Sequence, residues 1–174
     1  MEQFVNKVAE SGIITLDLAN YIPADDAVAA FDLKPYLFRE MILKEKDNRA
    51  QLLTTDWQQF ENKHTALFCS VDAIIPVWAY MLACTLLQPV AASVYFGTVA
   101  ELKKHLVITG IQGIDVAEYA DKRVVIKGCG DTPIPEAAYV TVTAQLRPVV
   151  KSLMYGEPCS TVPVYKKPAP PRAV

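Results

Sequence analysis

The sequence predicts an α/β protein: one domain over residues 1–162 with a mainly parallel sheet built from two βαβ repeats, preceded by a strand-and-helix lead-in. Three observations predict it. Residues 63–97 lie over residues 122–156 without a gap, with 11 of 35 positions identical. Short β-branched segments alternate with longer apolar runs of helical length, the pattern of βαβ units. The chain has 174 residues, 52% hydrophobic and 21% charged, the length and composition of one ordinary globular domain with a core of its own.

The elements follow in order. Residues 12–18, Gly12-Ile13-Ile14-Thr15-Leu16-Asp17-Leu18, alternate and are β-branched, which predicts a strand. A second, weaker strand is predicted over residues 27–33. Pro35 then opens a helix through Tyr36, Leu37, Phe38, Met41 and Ile42 to Leu52 and Leu53. The mixed charges Lys44-Glu45-Lys46-Asp47-Asn48-Arg49 read as its solvated face.

Each repeat copy spells one unit. An apolar strand, Thr65-Ala66-Leu67-Phe68 or Val124-Val125-Ile126, ends in a polar loop, Cys69-Ser70-Val71-Asp72 or Gly128-Cys129-Gly130-Asp131. Ile-Pro opens a helix in both copies, since proline is tolerated in the first turn. Pro89 or Pro148 ends it, and a second apolar strand runs to Gly97 or Gly156. Two copies are too few for a solenoid and suit two halves of one sheet. Between the copies a helix is predicted over residues 99–106. Residues 163–174, with Pro163, Pro168, Pro170 and Pro171, read as a disordered tail.

The formal net charge of −2 argues against nucleic-acid binding, which normally shows a basic surplus. No charged residue occurs over residues 73–100, long enough to suggest a membrane span. Pro89, Gln88 and the strand-like Ser93-Val94-Tyr95-Phe96 favour a buried helix feeding a buried parallel strand instead. Met1-Glu2-Gln3-Phe4-Val5-Asn6-Lys7 has no basic stretch leading an apolar run, so no secretory signal is expected. Four cysteines then read as reduced thiols in the cytoplasm.

Loops after parallel strands gather on one edge, where ligands bind. The repeat is expected to bring Cys69 and Asp72 together with Cys129 and Asp131, and Cys159 follows the last strand of the second copy. Thiolates select zinc or iron–sulfur clusters, and carboxylates complete mixed sites. Gly128 and Gly130 flank Cys129 and let backbone N–H groups turn toward an anionic ligand. The bland reading stands beside this one: cysteines are often small buried hydrophobes, and Asp72 and Asp131 suit helix N-caps. Cys84 sits among leucines in a helix and is assigned to the core. His64 and His105 are the only histidines, which leaves a catalytic triad without support. Neither GxGxxG nor GxxxxGK[ST] is present. Tyr80 and Tyr139 occupy the same repeat position, which suggests packing.

The segments Cys69-Ser70-Val71-Asp72-Ala73-Ile74-Ile75-Pro76, Val125-Ile126-Lys127-Gly128-Cys129-Gly130-Asp131 and Gly156-Glu157-Pro158-Cys159-Ser160-Thr161-Val162-Pro163 resemble the bacterial DUF2480 family. So does Leu43-Lys44-Glu45-Lys46-Asp47. The resemblance implies no defined reaction. It does imply a setting among iron–sulfur cluster assembly proteins, which tilts the thiol site toward sulfur or iron–sulfur traffic. The expectation is therefore an accessory cytoplasmic protein that binds zinc, iron or an iron–sulfur cluster through Cys69, Cys129 and Cys159. Asp72 and Asp131 would serve as caps or ligands, and partners would come from cluster assembly. The competing expectations are a non-catalytic interaction module with structural cysteines, and a cysteine-dependent enzyme.

Overall fold

A computed structural model describes residues 12–128, 133–157 and 159–169. Among the described residues, seven strands and four α-helices follow one another: β1 (Ile13–Asp17), β2 (Val28–Asp32), α1 (Glu45–Leu53), β3 (His64–Phe68), α2 (Val77–Leu87), β4 (Ser93–Phe96), α3 (Val99–Gln112), β5 (Arg123–Lys127), α4 (Glu136–Leu146), β6 (Ser152–Glu157) and β7 (Ser160–Lys166). All pairings between strands are parallel except β6 with β7.

The two repeat copies do not share a sheet. Their strands form two, β2-β3-β4 and β1-β5-β6-β7. Each sheet belongs to a compact unit: residues 23–105 form one, and residues up to 22 together with 106–174 form the other. Both units run strand, helix, strand, helix, strand, and the second adds β7. The second is split, its first strand β1 standing ahead of the whole 23–105 unit and its first helix being the latter part of α3. A repeat shows that two segments are alike, not which strands pair. Each copy instead completes its sheet with a strand from the lead-in, β2 beside β3 and β1 beside β5.

The repeat-derived elements fall where the sequence places them. β3 and α2 match β5 and α4 residue for residue at the same offset, and β4 matches the start of β6, which runs two residues further. Val124, Val125 and Ile126 are all buried, as are Thr65, Ala66 and Leu67, the continuous apolar run of a parallel strand covered on both faces. Ala79, Ala83 and Leu87 are fully buried at four-residue spacing on α2, and Ala138, Val142 and Leu146 match them on α4. Each stripe seals its own core. One core joins Leu16, Leu18, Val107, Ile111 and Leu153 with the α4 stripe. The other joins Phe31, Leu33, Leu52, Phe60 and Leu67 with Ala83 and Leu87 of α2.

Three local expectations change. The helix expected from Pro35 begins at Glu45, because Arg39 and Glu40 adopt positive φ, which an α-helix does not tolerate. α3 runs past 106 to Gln112, since Val107 and Ile111 extend its buried face. The segment expected to trail from residue 163 is a strand as far as Lys166. Pro163 fits because β7 is an edge strand, and the register shifts beside Pro163's partner, Met154.

Candidate functional site

In the 23–105 unit the strand ends β2, β3 and β4 gather a polar cluster. The Asp32 carboxylate accepts hydrogen bonds from the backbone N–H of Ser70 at 3.0 Å and of Lys34 at 2.9 Å, and from the Ser70 hydroxyl at 2.5 Å. Burial pushes this carboxyl up, but the Ser70 and Lys34 bonds outweigh it and hold Asp32 below the ordinary carboxylate range. Cys69 is half-buried, and its thiol donates to the Val71 carbonyl at 3.5 Å. Burial, then the neighbouring Cys69 and Asp32, raises the Tyr80 phenol above its ordinary value. Tyr80 meets the Phe96 ring edge to face with centroids 5.0 Å apart. Beyond Gly97, Thr98 and Glu101 form a reciprocal capping box that starts α3.

The other unit repeats this arrangement with different chemistry. The Asp17 carboxylate accepts from the Ala19 N–H at 2.9 Å, as Asp32 does from Lys34. Lys127 lies between two carboxylates, 3.9 Å from Asp17 and 3.5 Å from Glu157. Tyr139 stacks edge to face on Tyr155 and donates its hydroxyl to the Gly128 carbonyl at 3.2 Å. That contact explains the glycine, because a Cβ there would lie 1.9 Å from the Tyr139 hydroxyl.

The expected ligand residues are distributed over both units. Cys69 lies in one unit and Cys159 in the other, exposed on the turn between β6 and β7. Cys129, Gly130 and Asp131 lie outside the described residues. Asp72 is exposed on its loop and does not cap α2, whose N-cap is Pro76, in extended backbone, with Pro135 its counterpart on α4. The two prolines therefore stand just ahead of the first helical turn, where a missing N–H costs nothing. Among the described residues no group of three or more His, Cys, Asp and Glu is arranged to hold a metal ion. Cys84 is half-buried, as a core-side residue of α2.

What the structure does bring together is apolar. Beside α2 and β4 runs a groove of about 660 Å³ lined by Leu67, Val77, Tyr80, Met81, Cys84, Thr85, Val94 and Phe96. Beside α4 and β6 runs another of about 630 Å³, lined by Ile126, Tyr139, Val140, Thr143, Ala144, Arg147, Tyr155 and Val164. Leu67, Tyr80, Met81, Cys84, Thr85 and Phe96 of the first are the repeat counterparts of Ile126, Tyr139, Val140, Thr143, Ala144 and Tyr155 in the second. Of these residues the sequence assigns Tyr80 and Tyr139 to packing and Cys84 to the core, because an apolar residue on a helix looks alike whether it faces a core or a groove.

A second signal was legible and lay at another offset. Leu16-Asp17-Leu18-Ala19-Asn20-Tyr21 matches Phe31-Asp32-Leu33-Lys34-Pro35-Tyr36, with Leu18 and Leu33 fully buried and both aspartates closing the turn that follows the strand. The duplication thus covers the first strand of each unit as well.

Fold and grooves together define a duplicated α/β protein with an equivalent apolar groove in each half. The chain belongs to the family of proteins of unknown function DUF2480, whose profile matches residues 2–167. No curated protein and no solved structure matches it significantly. Among the described residues, no helix is long and apolar enough to cross a membrane.

Proposed function

We propose that this protein is a non-catalytic interaction module that holds apolar segments of partner proteins in its paired grooves. One observation carries the reading. Both halves keep a groove at the same place, and both leave large apolar side chains in the open: Val77, Met81 and Phe96 in one, Val140 and Val164 in the other. Contiguous exposed apolar surface marks binding sites in folded proteins. The free thiols Cys69, Cys84 and Cys159 suit a reducing compartment, which supports a cytoplasmic setting. A photo-crosslinking residue at Met81 or Val140 tests it in cells. A discrete crosslinked species is expected at each position, lost when Phe96→Lys or Tyr155→Lys is added. Absence of crosslinking at both positions overturns the reading.

A second reading retains the loop thiols as ligands for zinc, iron or an iron–sulfur cluster, in the service of cluster assembly proteins. It is favoured by Cys159, whose exposed thiol sits at the same sheet edge as Gly128, one residue before Cys129. Metal analysis after anaerobic purification tests it, with Cys69→Ser, Cys129→Ser and Cys159→Ser as comparisons. Metal that falls in the variants supports this reading, and equally metal-free protein throughout removes it.

A further inference from the structure

We infer that β4 pairs antiparallel with β4 of a second copy of this chain, joining two three-stranded sheets into one of six strands across a twofold axis. This rests on the reading of the grooves as interaction surfaces and names the occupant of one of them. The protein carries its own template for how such a groove is covered. In the split unit β7 pairs antiparallel along the edge of β6 and adds Val164 to the groove wall. After the equivalent glycine of the other unit, Gly97, the chain enters the capping box of α3 instead of turning back as a strand. Among the described residues β4 therefore ends its sheet, with no strand beyond it.

The edge is built to be paired. The Gly97 N–H donates to Leu67 of β3, and alternation along the strand turns the Val94 and Phe96 N–H groups outward. Their side chains line the groove, and Phe96 is 70% exposed, Met81 64% and Val77 72%. Open edges are normally guarded by charges or proline, whereas no charged residue occurs from 73 to 100. A twofold axis sets each residue of the patch against the same patch, so a charged edge would face its own charge. This uncharged one does not. The antiparallel sense that a twofold imposes on like edges is also the sense in which β7 meets β6.

Sedimentation and light scattering on the full chain test the inference, with hydrogen exchange at the Val94 and Phe96 amides. The expected result is a species of twice 19.2 kDa at micromolar concentration, with protection of both amides rising as the dimer forms. Phe96→Pro, which removes an outward N–H without touching a bond to β3, is expected to give a monomer with unchanged circular dichroism. Met81→Lys, on the helix side of the groove, is expected to do the same, while Val140→Lys in the other unit leaves the dimer intact. Three outcomes overturn it: a monomer throughout the micromolar range, a dimer unaffected by both variants, or amides protected independently of concentration. A monomer that still crosslinks through Met81 to another protein would sink the dimer and leave the interaction reading standing. Loss of crosslinking at both grooves would sink the reading itself.

Discussion

Asn48 is fully buried on α1, and among the described residues neither its side-chain oxygen nor its nitrogen has a hydrogen-bond partner. Its counterpart at the repeat offset is Val107, buried in the core of the other unit. Desolvating an amide without compensation is costly, so Asn48→Val is expected to stabilise by about 1–3 kcal/mol. Urea denaturation reads this as a raised midpoint, and a lowered one would refute it. Gly128→Ala drives a methyl into the Tyr139 hydroxyl and is expected to cost about 1–3 kcal/mol. Adding Tyr139→Phe removes the closest atom and should return part of that loss, a coupling that a double-mutant cycle measures. Asp32 gives a pH dependence with a definite sign. Its folded carboxyl is held low, so its contribution is complete above the unfolded carboxylate pKa of about 4 and disappears as the pH falls through the folded value. Asp32→Asn should therefore weaken the protein at neutral pH and narrow the gap to wild type in acid, followed by urea midpoints across the pH series.

At the scale of elements, β7 shows how one strand changes the character of an edge. It gives β6 a partner along its length and supplies Val164 to the groove. A chain ended at Glu157 lacks both. It is expected to melt at lower temperature and to associate through the newly opened β6 edge, visible as light scattering that rises with concentration. An unchanged melting temperature and mass would mean that β7 is an ornament of the sheet. The sequence could not announce this strand, because its proline read as a tail and only an edge position with a register shift makes proline compatible with pairing. The helices α2 and α4 are legible in position, because apolar residues recur every fourth position between prolines. Their groove-facing sides were not, since burial depends on what packs against a helix and not on the helix itself.

For the molecule as a whole, the two units carry separate cores, one with Leu87 and the other with Leu146. Leu87→Ala and Leu146→Ala should each cost about 2–5 kcal/mol, and with no shared core cluster the double variant should lose the sum to within about 0.5 kcal/mol. Denaturation of the three variants measures this, and a large departure from additivity would show coupling between the cores. The sequence by itself determined the α/β class, the paired strand–helix–strand segments and the alignment of Tyr80 with Tyr139, because hydrophobic period and repetition are properties of local residues. Only the tertiary structure decided that β1 pairs with β5 across more than a hundred residues while β2 pairs with β3, dividing the expected sheet in two. The same pairing assigned Cys69 and Cys159 to different units. Apolar alternation tells a strand which face to bury, but its neighbour is chosen by the packing of the whole chain.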